Sequence, residues 1–139
     1  DTPISVKKVA NEIANHKGIV WTTIISLRRE DAARLDFDNA ESWRNLIRSQ
    51  SEKLAKYMNI PHRDLRWYAA FHNEGHHPHI HLVSYSVGKA PFMNEKGLRD
   101  LKSVFAREIF KHDLYNIYEA QTKYRDALRK ELDGGFDDE

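Results

Sequence analysis

The stretch LRWYAAFHNEGHHPHIHLVSYS, residues 65–86, gives the strongest indication of the fold. It also holds five of the chain's eight histidines. LRWYAAFH (65–72) and HPHIHLVSYS (77–86) are rich in aromatic and β-branched residues and alternate in polarity, which predicts two strands. The polar turn between them contains Gly75, a residue that favours tight turns. The stretch is therefore predicted to form a β-hairpin.

The hairpin brings histidines to one face. Side chains alternate along a strand, so His79 and His81 point the same way, and His72 can meet them across the hairpin. Neutral imidazole is a common ligand of divalent transition metals, and three such ligands leave positions for water or substrate. The spacing therefore predicts a metal site, against the alternative of an adventitious surface cluster. His76 and His77, in the turn, are predicted to face solvent or substrate.

The rest of the chain predicts helices around a sheet. The predicted elements are a helix over 5–16 with Ser5 as its N-cap, a strand over 19–27, a helix over 39–58 capped by Asp38 or Asn39, and a helix over 94–112 capped by Asn94. Helical periodicity then resumes, as one bent helix or a second one. The strand IVWTTIISL is almost wholly apolar, which predicts burial on both faces and a central place in the sheet. The fold class is α+β, with helices flanking a mostly antiparallel central sheet.

Composition narrows the possible functions. The 139 residues predict one domain over 1–132 and a flexible tail over 133–139. The chain has no cysteine, which excludes disulfides, thiolate-bound zinc and a cysteine nucleophile, and fits a reducing cytoplasm. No apolar run reaches the length that spans a bilayer. The net charge of +1 does not by itself predict nucleic-acid binding. Asp1 is not an initiator residue, so a missing N-terminal segment is expected.

The histidine stretch carries a family resemblance. HNEGHHPHIH (72–81) resembles the metal motif of HUH endonucleases, specifically the plasmid and transposon relaxases of the MobA/MobL type. HKGIVWTTIISLRREDAARL (16–35), WYAAFH (67–72) and YEAQTKYRDALRKE (118–131) also look like relaxase segments. That family usually has Asp where this chain has Glu74, a departure that concerns only a supporting role, the orientation of one imidazole.

The resemblance implies a function. It implies an HUH-like fold in which His72, His79 and His81 bind Mn or Mg, with Zn, Ni or Co as alternatives. The ion would activate a DNA phosphodiester, and a nucleophile, usually tyrosine, would become joined to the 5′ end of the nicked strand. The substrate would be single-stranded or origin DNA. The partners would be accessory relaxosome proteins and a coupling protein, and the protein would act in the bacterial cytoplasm.

The sequence offers three candidates for the nucleophile. Many such relaxases carry it ahead of the histidine motif, yet no tyrosine precedes Tyr57 here. Replication initiators place it on a later helix, which favours Tyr118 and then Tyr115, against the alternative that both pack at the edge of the core. His16 is a third candidate. Tyr68 and Tyr85, on the hairpin, are more typical of packing residues.

Basic side chains would bind the backbone phosphates of the DNA. The candidates are Lys7, Lys8, Arg28, Arg29, Arg34 and Arg66. Trp21, Trp43 and Trp67 could stack on unpaired bases, although their spacing favours core packing. The competing functions are a rolling-circle replication initiator or single-strand transposase, a non-catalytic single-stranded DNA-binding module, and a histidine-ligated hydrolase of small molecules.

Overall fold

A computed structural model describes the backbone of residues 6–137 and the side chains of residues 7–132. In chain order its elements are α1 (Val6–Asn15), β1 (Val20–Ser26), α2 (Arg29–Arg34), α3 (Ala40–Ser49), α4 (Ser51–Tyr57), a 3-10 turn (His62–Asp64), β2 (Leu65–His72), β3 (His79–Ser86), α5 (Glu95–Ile109) and α6 (Lys111–Asp137). These six helices and one antiparallel sheet give the α+β class that the sequence predicts. Ser5, the predicted cap of the first helix, lies outside the described residues.

The predicted hairpin forms the larger part of the sheet. β2 and β3 pair antiparallel over their whole lengths, from Leu65 opposite Ser86 to His72 opposite His79. Because directly opposed residues share a face, the register places Trp67, Ala69 and Phe71 together with Ile80 and Leu82. The opposite face carries the histidines.

β1 lies at the edge of the sheet, which corrects the prediction that it is central. The strand order in the described residues is β1-β3-β2, and β1 pairs antiparallel with β3 alone. No residue of β1 is fully buried, and Ile24 is 60% exposed. The error has a physical reason: β-branched residues favour any pleated surface, so an apolar run predicts a strand without fixing how many neighbours cover it.

The core lies on the face away from the histidines. Trp43 and Ile47 of α3, Leu54 of α4 and Ile80 and Leu82 of β3 are almost completely removed from solvent. The Trp43 indole N–H donates to the Phe37 carbonyl at 2.7 Å, and its ring lies 6.4 Å from that of Phe71. Burying an aromatic or branched side chain of this size stabilises a fold by about 1.5–3 kcal/mol. These contacts hold one side of the hairpin rigid.

The predicted helix over 39–58 is two helices that meet at Gln50. Its start is as expected, because the Asn39 side chain accepts the Ser42 amide hydrogen at 2.8 Å. Near its middle the hydroxyls of Ser49 and Ser51 donate back to the carbonyls of Leu46 and Arg48. Such side-chain bonds compete with the helical ladder, which accounts for the break.

α5 begins one residue after its predicted cap and ends three residues before the predicted end at 112, and the helical periodicity beyond it forms a second helix, α6. The Asn94 side chain caps α5 by accepting the Gly97 amide hydrogen at 2.7 Å. The chain divides into two compact units, the first reaching Phe105 and the second beginning at Ala106. The second unit contains α6, whose helical backbone continues to Asp137. The single domain over 1–132 and the flexible tail over 133–139 stay predictions, and residues 138–139 lie outside the described residues.

Within residues 6–137, none of the helices combines the length and the apolarity that crossing a bilayer requires.

Candidate metal centre

Three imidazoles converge at one end of the sheet, as the strand alternation predicts. His72 lies directly opposite His79, and His81 follows on β3 two residues later, opposite Ala70. The ring centroids are 4.9 Å apart for His72 and His79, 5.0 Å for His72 and His81, and 5.1 Å for His79 and His81. One ring nitrogen from each residue lies within 4.8 Å of the other two.

This donor set fits a divalent ion. Two nitrogens bound to one tetrahedral ion, each at about 2.1 Å, stand roughly 3.4 Å apart. The three nitrogens are already within 4.8 Å of one another, so small rotations of the rings would close the set. His72 is exposed while His79 and His81 are half-buried, which leaves one side of the cluster open to a ligand. Three imidazoles with open positions suit the ions that serve as Lewis acids.

The His79 ring is held in orientation by the backbone. Its Nδ1 lies 3.1 Å from the His77 carbonyl oxygen, which is placed to accept the Nδ1 hydrogen. That hydrogen bond would leave Nε2 unprotonated and available to a metal. Glu74, predicted to orient one of the imidazoles, is exposed in the turn, and that role stays a prediction. The carbonyl was missed because a main-chain acceptor leaves no sequence signal.

The loop between the ligands is fastened to the segment that follows β1. The guanidinium of Arg29 donates from Nε and Nη2 to the Gly75 carbonyl, at 3.1 and 2.8 Å, and from Nη1 to the Asn73 side chain. The Arg29 amide donates to the His76 carbonyl at 2.8 Å. Gly75 has φ +68, in the left-handed region. Arg29, predicted to contact DNA, is therefore engaged with the hairpin loop.

The other predicted DNA-contacting cations lie on the surface. Lys7, Lys8, Arg28, Arg34 and Arg66 are all exposed. Arg28 and Arg34 both form ion pairs with Asp31, at 3.2 and 2.8 Å. The Arg34 hydrogen bond, with help from Arg28, holds the pKa of Asp31 below its usual value. Arg66 donates to the carbonyls of Arg63 and Leu65. Their binding of DNA stays a prediction.

The tryptophans divide between core and surface. Trp43 is fully buried, so it belongs to the core, while Trp21 and Trp67 are half-buried. Base stacking by the latter two stays a prediction.

Glu12 of α1 and His16, just after that helix, contact the opposite end of the histidine-bearing face. The Tyr68 hydroxyl donates to Glu12 at 2.6 Å, and the His16 ring packs on Tyr85 with centroids 4.5 Å apart. Tyr85 is four residues from His81 on β3, a distance of about 13 Å along a strand. This separation weighs against His16 as the nucleophile. The Glu12 hydrogen bond raises the pKa of Tyr68, which disfavours the phenolate that a nucleophile requires.

Tyr115 and Tyr118 lie on α6, in the second unit. Both side chains are largely exposed, at 65% and 64%. Exposure of this degree is higher than that of residues in the core of the first unit. The assignment of either residue as nucleophile stays a prediction.

Comparison with known proteins identifies the family. The chain matches the family model of the MobL relaxases over residues 2–134, which is nearly its whole length. Neither the curated proteins nor the solved structures gave a significant match. The resemblance drawn from the histidine motif is thereby confirmed. The chain belongs to the MobL relaxase family, whose members are enzymes that nick DNA.

Proposed function

We propose that this relaxase nicks and rejoins one DNA strand at a divalent metal centre formed by His72, His79 and His81. The observation that carries the proposal is the convergence of the three ring nitrogens to within 4.8 Å on an open sheet face. When bound, the ion would withdraw charge from the scissile phosphate and stabilise the charge that builds on its oxygens. Manganese or magnesium is the proposed ion.

The protein's own part is to hold the site rigid and accessible. β2 and β3 fix the backbones of the three histidines, and the core behind Ile80 and Leu82 prevents the strands from shifting. The His77 carbonyl orients the His79 ring. Because one side of the cluster is open, a phosphate of an unpaired strand can approach it.

The proposed nucleophile is the hydroxyl of Tyr118, with Tyr115 next. Its oxygen would attack the phosphorus and the bond to the 3′ oxygen would break, so that the 5′ end becomes joined to the tyrosine. The phenol gives up its proton and the departing 3′ oxygen gains one. The phosphotyrosine bond conserves the energy of the phosphodiester, so the same site can rejoin the strand. That property suits DNA mobilisation, with relaxosome proteins and a coupling protein as proposed partners in the bacterial cytoplasm.

A covalent-adduct assay tests the proposal. The purified protein is incubated with manganese and labelled single strands that carry its transfer origin, and the products are separated on a denaturing protein gel. Wild type is expected to give a labelled protein band, and His79→Ala and His81→Ala are expected to give none. His76→Ala is the matched control, because His76 is exposed in the same turn but lies outside the cluster. Normal nicking by either ligand variant would refute the metal assignment.

The same gel examines the nucleophile. Tyr118→Phe should abolish the adduct, and Tyr124→Phe, on the same helix and 73% exposed, should retain it. An adduct that persists in both Tyr118→Phe and Tyr115→Phe would place the nucleophile elsewhere. Cleavage without an adduct would identify water as the attacking group. Binding without cleavage would indicate a non-catalytic DNA-binding module.

A further inference from the structure

The loop that joins two of the proposed ligands has little packing of its own. Residues 73–77 are all exposed, and Gly75 adopts a left-handed backbone. His72 precedes this loop directly, and His79 follows it after the buried Pro78. An exposed segment with few buried contacts opens easily unless other groups hold it. Strand pairing aligns the three histidines, and the end of the hairpin where His72 meets His79 depends in addition on the groups that fix residues 73–78.

The segment after β1 provides that support. The Leu27 amide donates to the Pro78 carbonyl at 3.0 Å, next to His79, and the Arg29 amide donates to the His76 carbonyl. These two bonds secure the second half of the loop. Both are main-chain bonds, so a side-chain substitution would leave their donors in place.

The Arg29 side chain secures the first half. Two of its nitrogens converge on the Gly75 carbonyl, while a third reaches the Asn73 side chain, one residue after His72. Asn73 is held in turn by a 3.1 Å bond from its Nδ2 to the Asp38 carbonyl. A planar guanidinium presents several donors in a fixed fork, which the single ammonium of lysine cannot reproduce.

We propose that Arg29 is a positioning residue of the metal centre, one that holds the Asn73–Gly75 backbone so that His72 meets His79. This inference rests on the proposed function, because it assumes that the cluster binds an ion. It replaces the prediction that Arg29 neutralises a DNA phosphate. The guanidinium acts through the loop and touches neither the imidazoles nor the substrate.

The test measures metal affinity and loop opening, neither of which requires the protein to nick DNA. Arg29→Lys keeps the positive charge but loses the forked guanidinium donors, and Arg29→Gln loses both the charge and those donors. Arg28→Gln is the control, because the neighbouring Arg28 side chain pairs with Asp31 and not with the loop. Calorimetric titration with Mn²⁺ should show binding weakened about tenfold in both Arg29 variants, the low end of what losing a direct partner of a metal ligand costs, because Arg29 reaches the ligands only through the loop. Arg28→Gln should stay within about twofold of wild type.

Hydrogen exchange in the metal-free protein gives a readout independent of the ion. The amides of residues 73–78 should exchange faster in Arg29→Lys, while those of β3 in the core stay protected. If exchange is unchanged, or if Arg29→Lys binds Mn²⁺ as tightly as wild type, the inference is overturned while the proposed function stands. A wild-type protein that binds no ion would overturn both. If Arg29→Gln does not fold, Asn73→Ala takes its place, and normal metal binding by that variant would count against the inference.

Salt dependence separates positioning from phosphate binding. If Arg29 contacted a phosphate, Arg29→Gln would reduce the slope of log affinity for single-stranded DNA against log salt by about 0.7. The positioning role predicts an unchanged slope in metal-free buffer. A reduced slope would restore the DNA-contact assignment and refute the inference.

Discussion

The turn between the metal-binding strands offers a quantitative test at Gly75. Its φ of +68 lies in the left-handed region, and an added Cβ would meet no atom within 4 Å. Gly75→Ala should therefore cost backbone strain alone, about 1–2 kcal/mol, with no steric clash to add. Alanine also restricts the unfolded chain, which offsets roughly 0.4–1 kcal/mol. The net loss is about 1 kcal/mol, or roughly 3 °C in Tm for a chain of this size.

Urea unfolding of the metal-free protein, followed by tryptophan fluorescence, measures this loss. Gly75→Asn is the matched variant, because asparagine tolerates the left-handed region better than alanine does. Its free energy of unfolding should fall by less than half as much. A Gly75→Ala variant as stable as wild type, or a Gly75→Asn variant that loses as much as Gly75→Ala, would contradict the backbone strain assigned to this position.

Two single contacts and the bound ion should each change the free energy of unfolding by a measurable amount. Asn39→Ala should lower the free energy of unfolding by about 1 kcal/mol through loss of the α3 cap, and Asn39→Ser, which keeps a capping oxygen without adding a carboxylate beside Asp36, should lose less in thermal denaturation. Tyr68→Phe should cost about 1 kcal/mol at pH 8 through loss of the bond to Glu12. Because folding raises the pKa of Tyr68 above its unfolded value of about 10, the stabilisation is complete below that pH and is lost above it. The difference between Tyr68→Phe and wild type in urea unfolding should therefore shrink at pH 11, and a constant difference would contradict the assignment. With Mn²⁺ at about 100 times its Kd, wild type should gain roughly 2.7 kcal/mol, or about 9 °C, and a His81→Ala variant that gains as much would contradict its role as a ligand.

The histidine cluster could be predicted from sequence because its geometry follows from local rules. Strand alternation places His79 and His81 on one face, and a short turn around a glycine fixes which residues of the next strand oppose them. The structure confirms this register, with His72 directly opposite His79. The helix caps at Asn39 and Asn94 were predictable for the same reason, since each depends on residues within one turn.

Features set by distant contacts could not be predicted in this way. The position of β1 at the sheet edge depends on which strands pair with it, and its apolar sequence carries no such information. The Arg29 bonds join residues 44 and 46 positions apart, so composition suggested only a surface cation. The His77 carbonyl that orients His79 belongs to the main chain, which every residue shares.

X-ray absorption of the protein loaded with one equivalent of Mn²⁺ reports whether His72, His79 and His81 bind the ion together. Three imidazole nitrogens in the coordination shell are expected for wild type, and two for His81→Ala, since each histidine offers one ligand atom to the cluster. A wild-type spectrum with an all-oxygen shell, unchanged by His81→Ala, would contradict the metal centre on which the proposed nicking chemistry depends.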